Sequence, residues 1–266
     1  MVALALVLNA GLGMQDPEPI QDNSFLIEEA YNQERGVVQH ISTFSRSGDG
    51  EWALSFTQEW PLVTQRHQLS YSIPLLRLDA PGGSRTGFGD IALNYRYQLI
   101  GLHGGSLAMS PRASVLLPTG NEATGQGAGS VSFQASWPVS ISLGQQWATH
   151  LNAGMTVAPS ARNGSGASAT TTAVNAGGSV IWLPLFWMNF MVEAVWASSE
   201  SVTGPGATER QDAAFLNPGI RWAINLPGDL QIVPGVAWTI GIGPSRGDRS
   251  IFIYFSIEHP FKHVSG

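Results

Sequence analysis

The chain has 266 residues, no cysteine, 12% charged residues and a net charge of −6. The absence of cysteine excludes a disulfide framework, a thiolate metal site and a thiol nucleophile, and the acidic balance argues against a nucleic-acid partner. No apolar run reaches the roughly 18 residues that a spanning helix needs.

Taken from its start, the chain opens with VALALVLNAGLG (Val2–Gly13), which reads as the apolar part of a secretory signal. Gly11-Leu12-Gly13 supplies a small-x-small cleavage site before Met14. Residues 1–13 are therefore read as a signal remnant and residues 14–35 as a segment preceding the body of the protein. Six acidic residues, Asp16, Glu18, Asp22, Glu28, Glu29 and Glu34, all precede the first basic residue, Arg35. In this segment Asn23 or Ser24 is expected to cap a short helix with Glu28 and Glu29 in its early turns. Phe25, Leu26, Ala30 and Tyr31 give that helix an uneven apolar stripe. The functional reading is a plug, with Phe25, Glu28, Glu29 and Tyr31 meeting a lumen wall. The plain alternative is a periplasmic tail lying on a rim.

Beyond Arg35 the sequence alternates. In SVSFQASWPVSISL (Ser130–Leu143) every odd-numbered residue is apolar and nearly every even one polar, which is one greasy and one polar face of a strand. The pattern predicts twelve strands: 36–44, 51–62, 67–76, 90–99, 106–117, 130–143, 147–157, 170–182, 186–197, 213–224, 230–240 and 250–261. Odd-numbered linkers are long and rich in Gly, Ser, Pro, Asn and Thr, as at 118–129, 158–169 and 198–212. Even-numbered linkers are short, as at 144–146 and 183–185. One plain end and one elaborated end is the signature of an outer-membrane barrel rather than a sandwich.

Three further features place the greasy face in lipid. The strands suit tilted membrane strands of ~9–11 residues better than the ~5–6 of soluble sheets. The polar face is Ser, Thr, Asn and Gln with few of the charges that guard a solvated sheet. Tryptophans gather near strand ends (Trp52, Trp60, Trp147, Trp182, Trp187, Trp196, Trp222, Trp238), as in interfacial girdles. Trp137 is mid-strand and stands outside that pattern. The expectation is an all-β, twelve-stranded antiparallel transmembrane barrel over residues 36–261 with a helical or irregular N-terminal plug and a tail at 262–266, in the bacterial outer membrane.

Strand parity points Glu59, Asp90, Arg96, Arg112, His150, Glu193, Arg221 and Glu258 into the lumen. They read as a constriction that selects solutes, or as paired charges that hold the barrel in register. Catalysis has little material. His150 with a lumen serine is the one candidate, and no G-x-S-x-G elbow is present. The six histidines are scattered, His259 and His263 fall at the C-terminal end with a surface role, and no metal site or cofactor is implied. Pro111 and Pro138 interrupt neighbouring strands, as do Pro218 and Pro234. They read as bulges or as a weakness through which an apolar solute leaves sideways.

QDNSFLIEEAYNQE (Gln21–Glu34) with GVVQHI (Gly36–Ile41), GFGDIALNYRYQL (Gly87–Leu99) and LLPTGN (Leu116–Asn121) resemble stretches of the outer-membrane transporters grouped under the meta-pathway of phenol degradation. The likeness runs from about Gln21 to Phe261. It implies a single barrel that moves small solutes, aromatic or apolar ones included, and implies no catalytic residue. The expected partners are outer-membrane lipid, a small-molecule solute and the barrel assembly machinery, which in such proteins reads an aromatic at the end of the last strand, here Phe261. Two competing readings are a closed structural or surface-binding barrel and, more remotely, a lipid-modifying barrel enzyme.

Overall fold

The computed structural model describes residues 19–79, 82–101 and 105–261. The expected signal remnant, 1–13, and the tail, 262–266, lie outside the described residues. The strands are Val37–Ser47, Trp52–Leu62, Thr64–Leu78, Arg85–Phe88 continued by Ile91–Tyr97, Leu107–Met109 continued by Arg112–Leu117, and Ser132–Ser136 continued by Val139–Ser142. They go on as Trp147–Arg162, Ser168–Leu185, Met188–Gly204, Ala207–Trp222 continued by Ile224–Leu226, Leu230–Gly241 and Arg249–Pro260. Each pairs antiparallel with the next, and the last pairs with the first from Val37↔Pro260 to Ser47↔Ser250. The twelve strands thus form a closed barrel without a free edge, as the alternation implies. Among the described residues no helix is long and apolar enough to cross a membrane; a closed barrel crosses with its strands, which satisfy every backbone group internally.

The molecule is inside-out. Phe133, Val180 and Val192 point outward and are 54%, 51% and 51% exposed, far more apolar surface than water tolerates in one band. The inward rows hold buried polar groups instead: His150, Asn189, Glu193, Asn217 and Arg221. Aromatic rings stack at the short-turn end, with Trp147 and Trp182 6.1 Å apart and Trp182 and Phe190 5.7 Å apart. At the long-loop end Phe44 meets Trp52 at 6.1 Å. These two levels mark the interfaces. Trp137 faces outward between them.

Two expected long loops are mostly strand. The linkers read at 158–169 and 198–212 shrink to turns at 163–167 and 205–206, because the flanking strands run on to Arg162, Ser168, Gly204 and Ala207. Above the membrane both faces of a strand meet water, so the greasy alternation stops while the backbone ladder continues. The strands from Trp147 to Trp222 are 16, 18, 17 and 16 residues long and rise as a wall on one side.

The prolines interrupt the ladder without shifting its register. Pro138 has no N–H to offer Ser110, yet the Ser110 N–H reaches the Pro138 carbonyl at 3.3 Å. Met109↔Val139 and Arg112↔Ser136 keep one register on either side. Tyr97 still donates to the Pro111 carbonyl at 3.0 Å, and Trp137 to Ala153 at 2.9 Å. The wall thus keeps its register across Pro111 and Pro138, with the Ser110–Pro138 hydrogen bond between the two stretches of ladder. Pro218 falls where pairing between Leu216↔Ile240 and Gly219↔Ala237 lapses, again without a change of register.

Candidate functional site in the barrel lumen

Residues 19–36 enter from the short-turn end, cross the lumen and return to the first strand. The helix expected here does not form: residues 25–27 are only a bend. Their backbone N–H groups have a partner elsewhere, which removes the need for a helix. Phe25, Leu26 and Ile27 all donate to Glu193 Oε1, at 3.0, 2.7 and 3.0 Å. Asn217 Nδ2 donates to the other oxygen at 2.7 Å and is itself held by Thr239 at 2.8 Å. A carboxylate accepting four hydrogen bonds in a buried site is a strong anchor.

The segment is hung from the wall at each step. Ile20 N–H donates to the Phe186 carbonyl at 2.7 Å, and Asn189 Nδ2 to the Gln21 carbonyl at 3.1 Å. Arg221 donates to the Asn23 carbonyl and lies 4.8 Å over the Tyr254 ring. Ser24 donates to Ser179 at 2.7 Å. On the opposite wall Ala30 N–H donates to Ser140 Oγ at 2.8 Å, while Gln98 and Gln68 bind the backbone of Ala30, Asn32 and Gln33.

Three glycines shape sockets for two apolar side chains. Phe25 packs against Phe252 and Tyr254, each 5.5 Å away by ring centroid. A Cβ at Gly235 would stand 2.7 Å from the Phe25 ring, one at Gly219 would overlap it, and one at Gly177 would stand 2.5 Å from Ile27 Cδ1. No real Cβ packs that closely, so the absent side chains are what admit Phe25 and Ile27.

His150 is a tether rather than a base. Its Nε2 lies 2.7 Å from the Asp22 carbonyl, an acceptor, so Nε2 carries the proton. Nδ1, 2.7 Å from Ser140 Oγ, then accepts the serine proton. The Ser140 oxygen already accepts the Ala30 N–H, and both Ser140 and His150 are fully buried. The pairing of His150 with a lumen serine is therefore real in space but closed to substrate.

The charged residues divide into three groups. Glu28 sits between Arg112 Nε, at 2.9 and 3.0 Å from its two oxygens, and Arg96 Nη1, at 3.3 Å, with Ser136 at 3.2 Å. Arg96 also binds the carbonyls of Glu29 and Tyr31 at 3.0 and 2.8 Å and Glu59 at 3.5 Å. Glu29 faces Asn23 at 3.5 Å, and Tyr31 meets the His150 ring edge-on at 6.1 Å. Glu193, Arg221 and His150 form the second group, around residues 22–27. Asp90 and Glu258 stand apart. Glu258 faces Gln39 at 3.4 Å near the short-turn end.

Asp90 lies at the outer end of the chamber, where it fastens a loop. Its two oxygens accept the N–H groups of Gly120 and Ala128 at 3.0 and 2.8 Å. Thr119 donates to the Gly89 carbonyl at 2.8 Å, and Gln126 to the carbonyls of Leu76 and Arg85 at 3.2 Å each. The GFGD and LPTGN stretches thus meet as one clasp.

Between clasp and crossing segment lies a chamber of about 480 Å³, within the ~300–1,000 Å³ of ligand-sized cavities. Its wall mixes hydroxyl and amide groups (Thr57, Ser70, Ser72, Asn94, Asn152, Asn175), charged side chains (Glu28, Glu59, Asp90, Arg96, Arg112) and carbon from Ile41, Leu116, Phe25 and Tyr254. Among the described residues no cluster of three or more His, Asp or Glu is arranged for a metal. Parity brought the inward charges into view. It did not single out Ser140, Gln98, Asn189, Asn217 or the socket glycines, although their places on polar strand faces were visible.

The family model described as "Putative MetA-pathway of phenol degradation" matches residues 28–246. A search of curated proteins by sequence finds no match. Among solved structures, an outer membrane channel of the COG4313 group from Pseudomonas putida F1 is similar with a TM-score of 0.63 and 12% identity, over 86% of this chain and 97% of that one. The NanC porin is similar with a TM-score of 0.55 and 9% identity, over 82% of this chain and 98% of that one. At these identities the likeness is one of fold, that of an outer-membrane barrel.

Proposed function

We propose, from the premise that this chain belongs to the family described as "Putative MetA-pathway of phenol degradation", that it is a porin-like outer-membrane channel for passive passage of small solutes, plugged by its own N-terminal segment. The observation that carries this reading is the crossing segment, hung by side chains from both walls beneath a chamber of about 480 Å³. The chamber's mix of hydroxyl, amide and carbon supports solutes with a ring or short chain and hydrogen-bonding groups, substituted aromatic compounds among them. Glu28, Glu29, Glu59, Arg96 and Arg112 form the constriction, and Phe25 and Tyr31 are the plug's apolar contacts. Outer-membrane lipid surrounds the apolar exterior, and the aromatic at Phe261 supports delivery by the barrel assembly machinery. The buried Ser140–His150 pair gives no support to catalysis.

The test is single-channel conductance of the refolded chain in a planar bilayer, beside a chain lacking residues 14–34. Conductance steps that grow on deletion are expected. Stable insertion with no conductance from either chain would overturn the proposal in favour of a closed, surface-binding barrel.

A further inference from the structure

The first and last strands each place one histidine on the outer face, and the two meet across the seam where the barrel closes. His40 Nε2 and His259 Nε2 lie 3.2 Å apart. The ring centroids are 5.3 Å apart, so the nitrogen edges face one another. Each ring is braced from behind. His40 stacks on Phe56 at 6.1 Å. His259 Nδ1 lies 3.1 Å from the Pro260 carbonyl, which only accepts. That contact puts the His259 proton on Nδ1 and leaves a lone pair on Nε2. A ring nitrogen bonded to a carbonyl behind, with its free nitrogen forward, is the usual support of a metal-ligating histidine.

We infer that His40 and His259 form a site for a divalent first-row transition metal of the zinc, nickel or copper type. A metal at ~2.0–2.1 Å from two imidazole nitrogens in tetrahedral array sets the nitrogens about 3.4 Å and the ring centres about 5.3 Å apart. The observed distances therefore need almost no movement. Binding requires only that His40 shift its proton from Nε2 to Nδ1, so no net proton is released. Imidazole nitrogens suit these metals and not magnesium or calcium. The site lies near the last rungs of the seam, Val37↔Pro260 and Val38↔His259, towards the short-turn end, where water or headgroup oxygens complete the coordination. A bound ion would clip the first strand to the twelfth.

The experiment uses tag-free, refolded full chain in detergent, stripped of metal, with equilibrium dialysis against Zn²⁺, Ni²⁺ and Cu²⁺ in turn. One ion per chain is expected, tightest for Cu²⁺, with an unfolding temperature that rises with free metal. Binding is expected to vanish in His259→Gln and in His40→Phe, which keeps the stacking on Phe56. A chain lacking residues 262–266 is expected to keep it, which separates this pair from His263. Refolding of each variant is checked by its heat-dependent gel shift, and His40→Gln replaces any variant that fails that check. No binding, binding that survives either substitution, or binding lost only with residues 262–266 would overturn the inference.

Discussion

Glu193 is the place to perturb the crossing segment. Its Oε1 takes three backbone N–H groups of residues 25–27, and its Oε2 takes Asn217. Hydrogen bonds to a charged group are worth ~1.5–3 kcal/mol each. Three on one oxygen are not additive, and freed N–H groups regain water, so about 4 kcal/mol is a working figure for Glu193→Ala. At 1.4 kcal/mol per tenfold, that raises the unseated fraction by about a thousandfold. Glu193→Gln keeps a carbonyl but loses the charge. Charged hydrogen bonds are roughly twice as strong as neutral ones, which leaves a loss of about 2 kcal/mol and a rise of roughly thirtyfold. Single-channel recording reads both as time spent in the large-conductance state, ordered wild type, Gln, Ala, then the chain lacking residues 14–34. Were the deleted chain to open while both Glu193 variants stayed at the wild-type level, the reasoning would be refuted.

Two further outcomes follow from the same geometry. Gly235→Val is expected to expel Phe25 from its socket and raise the open fraction, and adding Phe25→Ala to it should change little more, since the two act on one contact; recordings of the single and double variants check this. With the plug unseated, Glu28 and Glu29 leave the lumen and the inward-facing wall keeps Glu59, Asp90, Glu193 and Glu258 against Arg96, Arg112 and Arg221, so the open channel should prefer cations slightly. A reversal potential in a potassium chloride gradient measures that preference, which Arg112→Gln should increase and Glu59→Gln should reduce.

The barrel was readable because its physics is local. A residue's face in a strand depends on parity alone, so Ser130–Leu143 shows lipid and lumen without any distant partner. Parity likewise pointed Glu59, Arg96 and Glu193 inward. The failures lie where the deciding partner is remote or the solvent changes. Asn23 and Glu28 look like a helix start, but the N–H groups that would build that helix go to Glu193, more than 160 residues away. The stretches 158–169 and 198–212 look like loops because strands that leave the bilayer lose the contrast between their faces. Asp90 points inward as parity says, but parity carries no sign of the Gly120 and Ala128 N–H groups that it holds. Gly219 and Gly235 carry no sign of the ring that fills the space beside them.

The crossing segment also bears on the order of assembly. It is among the first parts of the chain to be made, yet its contacts lie at sequence separations of 168 to Glu193 and 198 to Arg221. Contacts of that span form slowly, because a long loop must close before they reward it. The anchors of residues 23–27 do not exist until the eighth to twelfth strands stand in place. The N-terminal residues must therefore wait outside a nearly finished barrel, and the earliest stretch synthesised is among the last to find its seat.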